Sequence, residues 1–272
     1  MCLPDFSAFI DRFKAPGIQA IALMGSFARG DAGRFSDIDL VQFTREQGET
    51  ESDAQTHIIN DRLVVVSEVT PDAVNDWFSK PEVASECIKG VQIAKSLWDV
   101  EGYFREVQMR ARRFVWDASM QRKADRWASQ ELVGWAEEVH KGLEGLRTGH
   151  VGRLLNARHG LSWGLTNVMR VQRGVLMSGD NNSYLEVVAS LGEGTEWVKL
   201  SERVFGLREQ DLANQVRSGL KLYILTVRML ADHLDPNSRQ VIDSTVAHIE
   251  GELRCQDLRL SHTELSYINI KV

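Results

Sequence analysis

A short apolar run, Ile18 to Met24, leads without a spacer into Gly25-Ser26-Phe27-Ala28-Arg29-Gly30, and one polar turn later comes Asp37-Ile38-Asp39-Leu40. This order of residues constrains the fold more than any other feature of the chain. The apolar run reads as a buried strand. A glycine at its end lets the backbone turn sharply and lets a ligand come close, and a helix start just after it offers amide groups and a positive dipole end to phosphate oxygens. Gly25 and Ser26 are therefore the candidate phosphate holders, with the Ser26 hydroxyl as a further donor. Asp37 and Asp39 fall on a second strand, Asp37 to Phe43. Alternate residues of a strand share a face, so both carboxylates point the same way and suit a hard divalent cation such as magnesium. Arg29 and Arg34 stand nearby as candidate phosphate clamps.

The rest of the first hundred residues keeps the mixture of short apolar runs and turns. Arg62 to Val69 reads as a third strand and Val91 to Trp98 as a fourth. Between them Thr70 caps a helix that starts at Pro71, buries Val74, Trp77 and Phe78, and ends at Ser79-Lys80-Pro81. Beyond Tyr103 helical spacing takes over. Arg105 to about Arg147 is expected as helix in two pieces, and Leu154 to Met177 as another, ended by Ser178-Gly179. Ser183 and Glu186 form a capping-box pattern ahead of Val187. Leu212, Val216, Leu220, Tyr223, Val227, Leu230 and Leu234 make the clearest helical stripe, stopped by Asp235-Pro236. Residues 254 to 272 carry no strong pattern.

Composition narrows the function classes. A chain of 272 residues, 43% apolar and 26% charged, is an ordinary globular sequence with room for one large or two modest domains. Its net charge of -6 argues against nucleic acid as a partner, because such binders carry a basic footprint, whereas a small phosphate needs only a local cationic pocket. Three distant cysteines make no disulfide framework. The first residues lack a signal-peptide pattern, and no run reaches the roughly 20 apolar residues that span a bilayer. A cytoplasmic location without membrane partners is the expectation. Neither His-Glu-x-x-His nor Cys-x-x-Cys occurs, and no Gly-x-Gly-x-x-Gly or P-loop, so zinc hydrolysis, dinucleotide oxidoreduction and P-loop phosphotransfer lack their motifs.

The segment GSFARGDAGRFSDIDL resembles the Gly-Ser, Gly, Ser-Asp-x-Asp signature of the polymerase-beta-like nucleotidyltransferases. An acidic chain with such a domain ahead of a helical half is similar, within that superfamily, to the aminoglycoside and other antibiotic nucleotidyltransferases. Leu97-Trp98-Asp99-Val100-Glu101-Gly102 also looks like the turn that closes the catalytic half in those proteins. The resemblance implies an α+β fold: a mixed-sheet nucleotidyltransferase domain over residues 1–108, an all-helical substrate domain over 109–255, and an unassigned tail over 256–272. It implies Mg2+-dependent transfer of a nucleoside monophosphate from an NTP, ATP foremost, to a hydroxyl of a small acceptor, with release of pyrophosphate. Gly25, Ser26, Arg29 and Ser36 would hold the nucleotide, and Asp37 and Asp39 the metal. The acceptor would lie in a cleft between the halves, and a homodimer is compatible with the resemblance.

The family commonly adds a third carboxylate from a neighbouring strand. Here Val65 takes that position, and Glu68, the only acid of its strand, should face the other way unless a β-bulge turns it. The alternative reading is thus a catalytically weakened nucleotide-binding or interaction relative. In the helical half Glu131 and Glu138, seven residues apart beside Trp127 and Trp135, are the candidates for amine recognition and for the general base that deprotonates the acceptor. The competing reading for both is a solvated acidic stripe above a Trp-containing core, with Glu137 and Glu144 as alternatives.

Overall fold

The computed structural model of the chain describes residues 6–45 and 54–268. Two compact units emerge, one made of Met1–Gln121 together with Gly174–Ser183, the other of Arg122–Arg173 and Tyr184–Val272. The α+β expectation holds.

The first unit is built on five strands, β1 (Ile18–Leu23), β2 (Ile38–Thr44), β3 (Gln55–Ile59), β4 (Arg62–Val69) and β5 (Lys95–Trp98), in the order β3-β4-β2-β1-β5. The sheet is mixed: β2 and β4 run parallel, and the other neighbours antiparallel. Alternation along the strands sends Ile21, Leu23, Ile38, Leu40, Val64 and Val66 to one face, where they bury with Phe9 and Phe13 of α1 (Ser7–Phe13) and Phe27 of α2 (Gly25–Arg29). Ala20, Ala22 and Phe43 bury on the other face against α3 (Pro71–Trp77), α4 (Pro81–Ile93) and α5 (Tyr103–Arg112).

Thr70 caps α3 as expected, its side chain accepting from the Ala73 amide at 3.2 Å. The expected fourth strand is shorter than the sequence suggests. Val91 is the buried face of the last turn of α4, and only Lys95–Trp98 is extended, because Val91, Ile93 and Leu97 form one apolar run across a helix end and a strand start. Both oxygens of Asp99 then cap α5, accepting from the Phe104 and Arg105 amides at 3.2 and 3.0 Å. Phe104, Val107 and Ala111 bury with the sheet, so α5 belongs to this unit, which extends past the boundary at 108.

The helical unit comprises α6 (Ala118–Thr148, from Arg122), α7 (Val151–Gln172), α8 (Asp180–Leu191, from Tyr184), α9 (Glu196–Phe205), α10 (Leu212–Met229) and α11 (Pro236–Ile268). Its core gathers Leu132, Leu161, Leu165, Trp197, Leu220 and Tyr223. Tyr223 is fully buried and donates to the Leu132 carbonyl at 2.8 Å, while the Trp197 indole donates to Thr226 at 2.9 Å. Helices α6 and α7 come close where Gly164 leaves room for the Trp135 ring, 2.3 Å from where a Cβ would stand.

Three helix boundaries correct the sequence reading. Helix α7 ends at Gln172, since Gly174 adopts a left-handed φ of +64°, and Met177 buries with the sheet unit. Helix α8 starts at Asp180, so Ser183 lies inside it and the capping-box reading fails. Helix α10 stops at Met229, and a 3-10 turn over Ala231–His233 carries Leu230 and Leu234 on into the core. The tail left without a pattern continues α11 to Ile268, and residues 269–272, like Cys2, lie outside the described residues. No helix among the described residues is long and apolar enough to cross a membrane.

Candidate active site

Strand β1 ends at Leu23, and the Met24 amide donates to the Asp39 carbonyl at 2.8 Å, which locks the mouth of β1 to β2. Gly25 then turns with a φ of +62°. A Cβ at this position would stand 1.8 Å from Asp39 Oδ2, so the Asp39 carboxylate lies directly against bare backbone. Helix α2 has five residues, anchored by buried Phe27 and Ala28, and closes on left-handed Gly30. Five residues sum little dipole. Any phosphate held here would therefore rest on local groups. Foremost is the Ser26 hydroxyl, whose oxygen is buried and without a hydrogen-bond partner among the described residues. An orphaned buried hydroxyl is costly unless a ligand completes it.

Asp37 precedes β2 and Asp39 lies within it, and both line one cavity of about 770 Å3 together with Gly25, Ser26, Arg29, Arg34 and Ser36. Burial foremost, then the negative charge of Asp37, opposed by Arg29 and helped by Asp180, together push the Asp39 carboxyl up to about 6. A carboxyl crowded by like charge, with one guanidinium in partial compensation, favours a cation.

Register explains the departure on β4. Val65 stands beside Asp39 and Ser67 beside Val41, so this face of β4 carries a valine and a hydroxyl but no acid, and of the two it is Ser67 that lines the cavity. Glu68 pairs with Gln42 in an unbroken ladder and takes the opposite face, as its parity requires, and no bulge turns it inward. Among the described residues no three Asp, Glu, His or Cys side chains converge to hold a metal unaided. The pair Asp37 and Asp39 nevertheless suits Mg2+, an ion bound by one or two carboxylates, with water and substrate phosphate in its other positions.

The clamps differ from one another. The Arg29 guanidinium is mostly buried, donating from Nε to Asp31 at 3.0 Å and from Nη1 to the Ser178 carbonyl at 2.8 Å. It braces the wall of the cavity as well as charging it. Ser36 Oγ accepts from the Gly33 amide at 2.9 Å and shapes the turn before Asp37. Arg34 is exposed, its guanidinium 5.3 Å from the centre of the Phe35 ring.

The segment 174–183 is the part of the site that the sequence concealed. Ser85 Oγ donates to the Val175 carbonyl at 2.6 Å, and the Met177 amide donates to the Ser85 carbonyl at 2.9 Å. These bonds, with Arg29, strap the segment to the sheet unit and bring Met177, Ser178, Gly179, Asp180 and Asn181 into the cavity wall. Glu86 of α4 adds another acid to the lining. Ser178-Gly179 signals a break between helices, but nothing local signals where the segment lands.

Glu131 and Glu138 lie on α6 in the helical unit. Glu138 Oε1 accepts from Lys141 at 2.7 Å, and its Oε2 is buried without a partner among the described residues, as is the Trp135 indole nitrogen. Glu137 shares Lys141 at 2.9 Å, and that hydrogen bond holds its carboxyl below the usual range. Glu144 is engaged by Arg147 and Arg153.

A family profile described as "Nucleotidyltransferase domain" matches residues 7–94. Among solved structures the chain is similar to a nucleotidyltransferase-like protein from Exiguobacterium sibiricum 255-15, at 14% identity and a TM-score of 0.45, covering 91% of this chain and 75% of that one. No curated protein sequence matches the chain at a significant level.

Proposed function

We propose, on the premise that residues 7–94 are a nucleotidyltransferase domain of the polymerase-beta-like superfamily, that this chain transfers a nucleoside monophosphate from ATP or another NTP to a hydroxyl of a small acceptor. The observation that carries the reading is Asp39, held against the bare backbone of Gly25 in one cavity with Asp37 and the orphaned Ser26 hydroxyl. Mg2+, when bound by Asp37 and Asp39, supplies charge neutralisation for the phosphates. Gly25, Ser26 and Arg29 hold and orient the polyphosphate, which is most of what phosphoryl-type transfer asks of a protein. The acceptor oxygen forms a bond to the α-phosphorus as the bond from that phosphorus to the pyrophosphate oxygen breaks, and the acceptor proton passes to a carboxylate. Asp180, already in the cavity wall, is our candidate for that proton acceptor, with Glu138 and Glu131 as the alternative from the helical unit. An aminoglycoside-like acceptor and a homodimer belong to this proposal through the resemblance alone, and a cytoplasmic setting through the cysteine usage and the absence of a signal-peptide pattern.

Calorimetric titration of α,β-methylene-ATP into the protein, with Mg2+ and with a chelator, tests the reading. Binding should require the metal and vanish in Asp37→Asn and in Asp39→Asn while both variants stay folded. Unchanged binding in either variant would defeat it. Val65, standing beside Asp39 where the family commonly has an acid, favours a second reading as a weakened relative. Under that reading Val65→Asp raises Mn2+ affinity from a low starting value, and an unchanged affinity would count against it.

A further inference from the structure

Between α2 and β2 the chain makes a tight turn at the lip of the cavity. The Ser36 amide donates to the Gly33 carbonyl at 3.3 Å, and the Gly33 amide donates to Ser36 Oγ at 2.9 Å, so the turn is tied in both directions. Its two tip residues are Arg34 and Phe35. Glycine, proline, asparagine and aspartate are the residues that turn tips favour on backbone grounds, and Arg-Phe satisfies none of those grounds. Phe35 is 91% exposed, although it lines the cavity, and Arg34 accounts for one cationic contact with its ring at 5.3 Å. Phe35 comes two residues before Asp37, so the ring is held in fixed sequence relation to the carboxylate pair.

A large aromatic surface held out in water by a braced turn gains by being covered. The cover must be flat, tolerant of a neighbouring cation, and delivered to the cavity by a group that the polar floor retains. A nucleobase meets all three conditions: it carries a π-face, it stacks on aromatic and guanidinium planes, and its polyphosphate is what Gly25, Ser26 and Arg29 are placed to hold. We infer that Arg34 and Phe35 form a stacking platform for the base of the bound nucleotide. The inference rests on the nucleotide-binding reading above and adds a site to it. Stacking reads a face rather than a hydrogen-bonding edge, so the platform accepts all four bases, purines most tightly.

The test titrates the full chain, in Mg2+, with inorganic tripolyphosphate and with α,β-methylene-ATP, for the wild type, Phe35→Ala and Phe35→Tyr. Phe35 buries almost nothing, so the alanine variant keeps the fold. The wild type should bind the ATP analogue about tenfold more tightly than tripolyphosphate, within the range of an aromatic-base stack. Phe35→Ala should lose that factor and leave tripolyphosphate binding unchanged, and Phe35→Tyr should restore it. An alanine variant that binds the ATP analogue as the wild type does overturns the platform and leaves the nucleotide site standing. Equal losses for both ligands overturn it as well, because they mark a damaged turn. A wild type that binds neither ligand removes the nucleotide-binding reading and the platform with it.

Discussion

Gly25 is held to glycine by two separate demands, a left-handed φ of +62° and the 1.8 Å that would separate a Cβ from Asp39 Oδ2. Gly25→Ala should cost about 1–3 kcal/mol of stability, as strained backbone positions do, and should displace the Asp39 carboxylate. Chemical denaturation checks the first effect and a Mn2+ titration the second. Asp39 itself sets a pH dependence. Its pKa is raised from an ordinary 3.8 to about 6, so between those values the folded chain holds more protons than the unfolded one. Its contribution to stability is therefore most favourable below about pH 4 and is lost as pH rises through 6. Asp39→Asn should flatten that slope and stabilise the metal-free protein at pH 7 by about 1 kcal/mol, less than the roughly 3 that two pKa units would give without solvent screening. The same variant should abolish metal-dependent nucleotide binding. In the wild type, divalent affinity should climb from pH 5 to 7 as the cation displaces the proton. A flat affinity across that range would show that Asp39 is not a ligand.

At the scale of elements, the strap 174–183 is held by Ser85 and by one side chain that reaches two groups. Arg29 holds Asp31 and the Ser178 carbonyl together, and the ammonium of a lysine lacks the fork that spans both. Arg29→Lys should speed amide exchange across residues 177–183 by roughly tenfold, the effect of losing about 1.5 kcal/mol of charged hydrogen bonding, with β1 and β2 unaffected. The strap also marks how far the sequence could be read. Strands β1, β2 and β4 were legible because their apolar runs are bounded by turns, and Gly25, Ser26, Asp37 and Asp39 were legible because one continuous segment carries them. Val65 and Glu68 sorted correctly because strand parity is local. Strand β5 blurred into α4, since a four-residue strand abutting Val91 and Ile93 has no period of its own. Strand β3 and helix α9 were not anticipated at all. Met177 and Asp180 could not be foreseen in the cavity, because their place depends on Ser85 and Arg29, distant in sequence, and no local pattern encodes a tertiary return.

For the whole molecule, the discontinuity of the sheet unit has a direct consequence. Residues 1–121 alone would leave the fully buried Ser85 hydroxyl without the Val175 carbonyl, its own carbonyl without the Met177 amide, and Arg29 without Ser178. Three lost bonds at about 1 kcal/mol each amount to about 3 kcal/mol, a large share of a typical domain's stability. The break points themselves are close. The Trp116 indole donates to Gln121 Oε1 at 2.9 Å, and the same ring lies 2.9 Å from where a Gly174 Cβ would be. A flexible linker of six Gly and Ser residues, with a root-mean-square reach of about 13 Å, should therefore join 1–121 to 174–183 without strain. The joined unit should unfold in one cooperative step and bind α,β-methylene-ATP with Mg2+ within a few-fold of the whole chain, whereas 1–121 should be less stable by about 3 kcal/mol and bind more weakly. Urea denaturation and calorimetry of the two fragments decide the matter. A joined unit that folds but fails to bind, while the whole chain binds, would overturn the prediction.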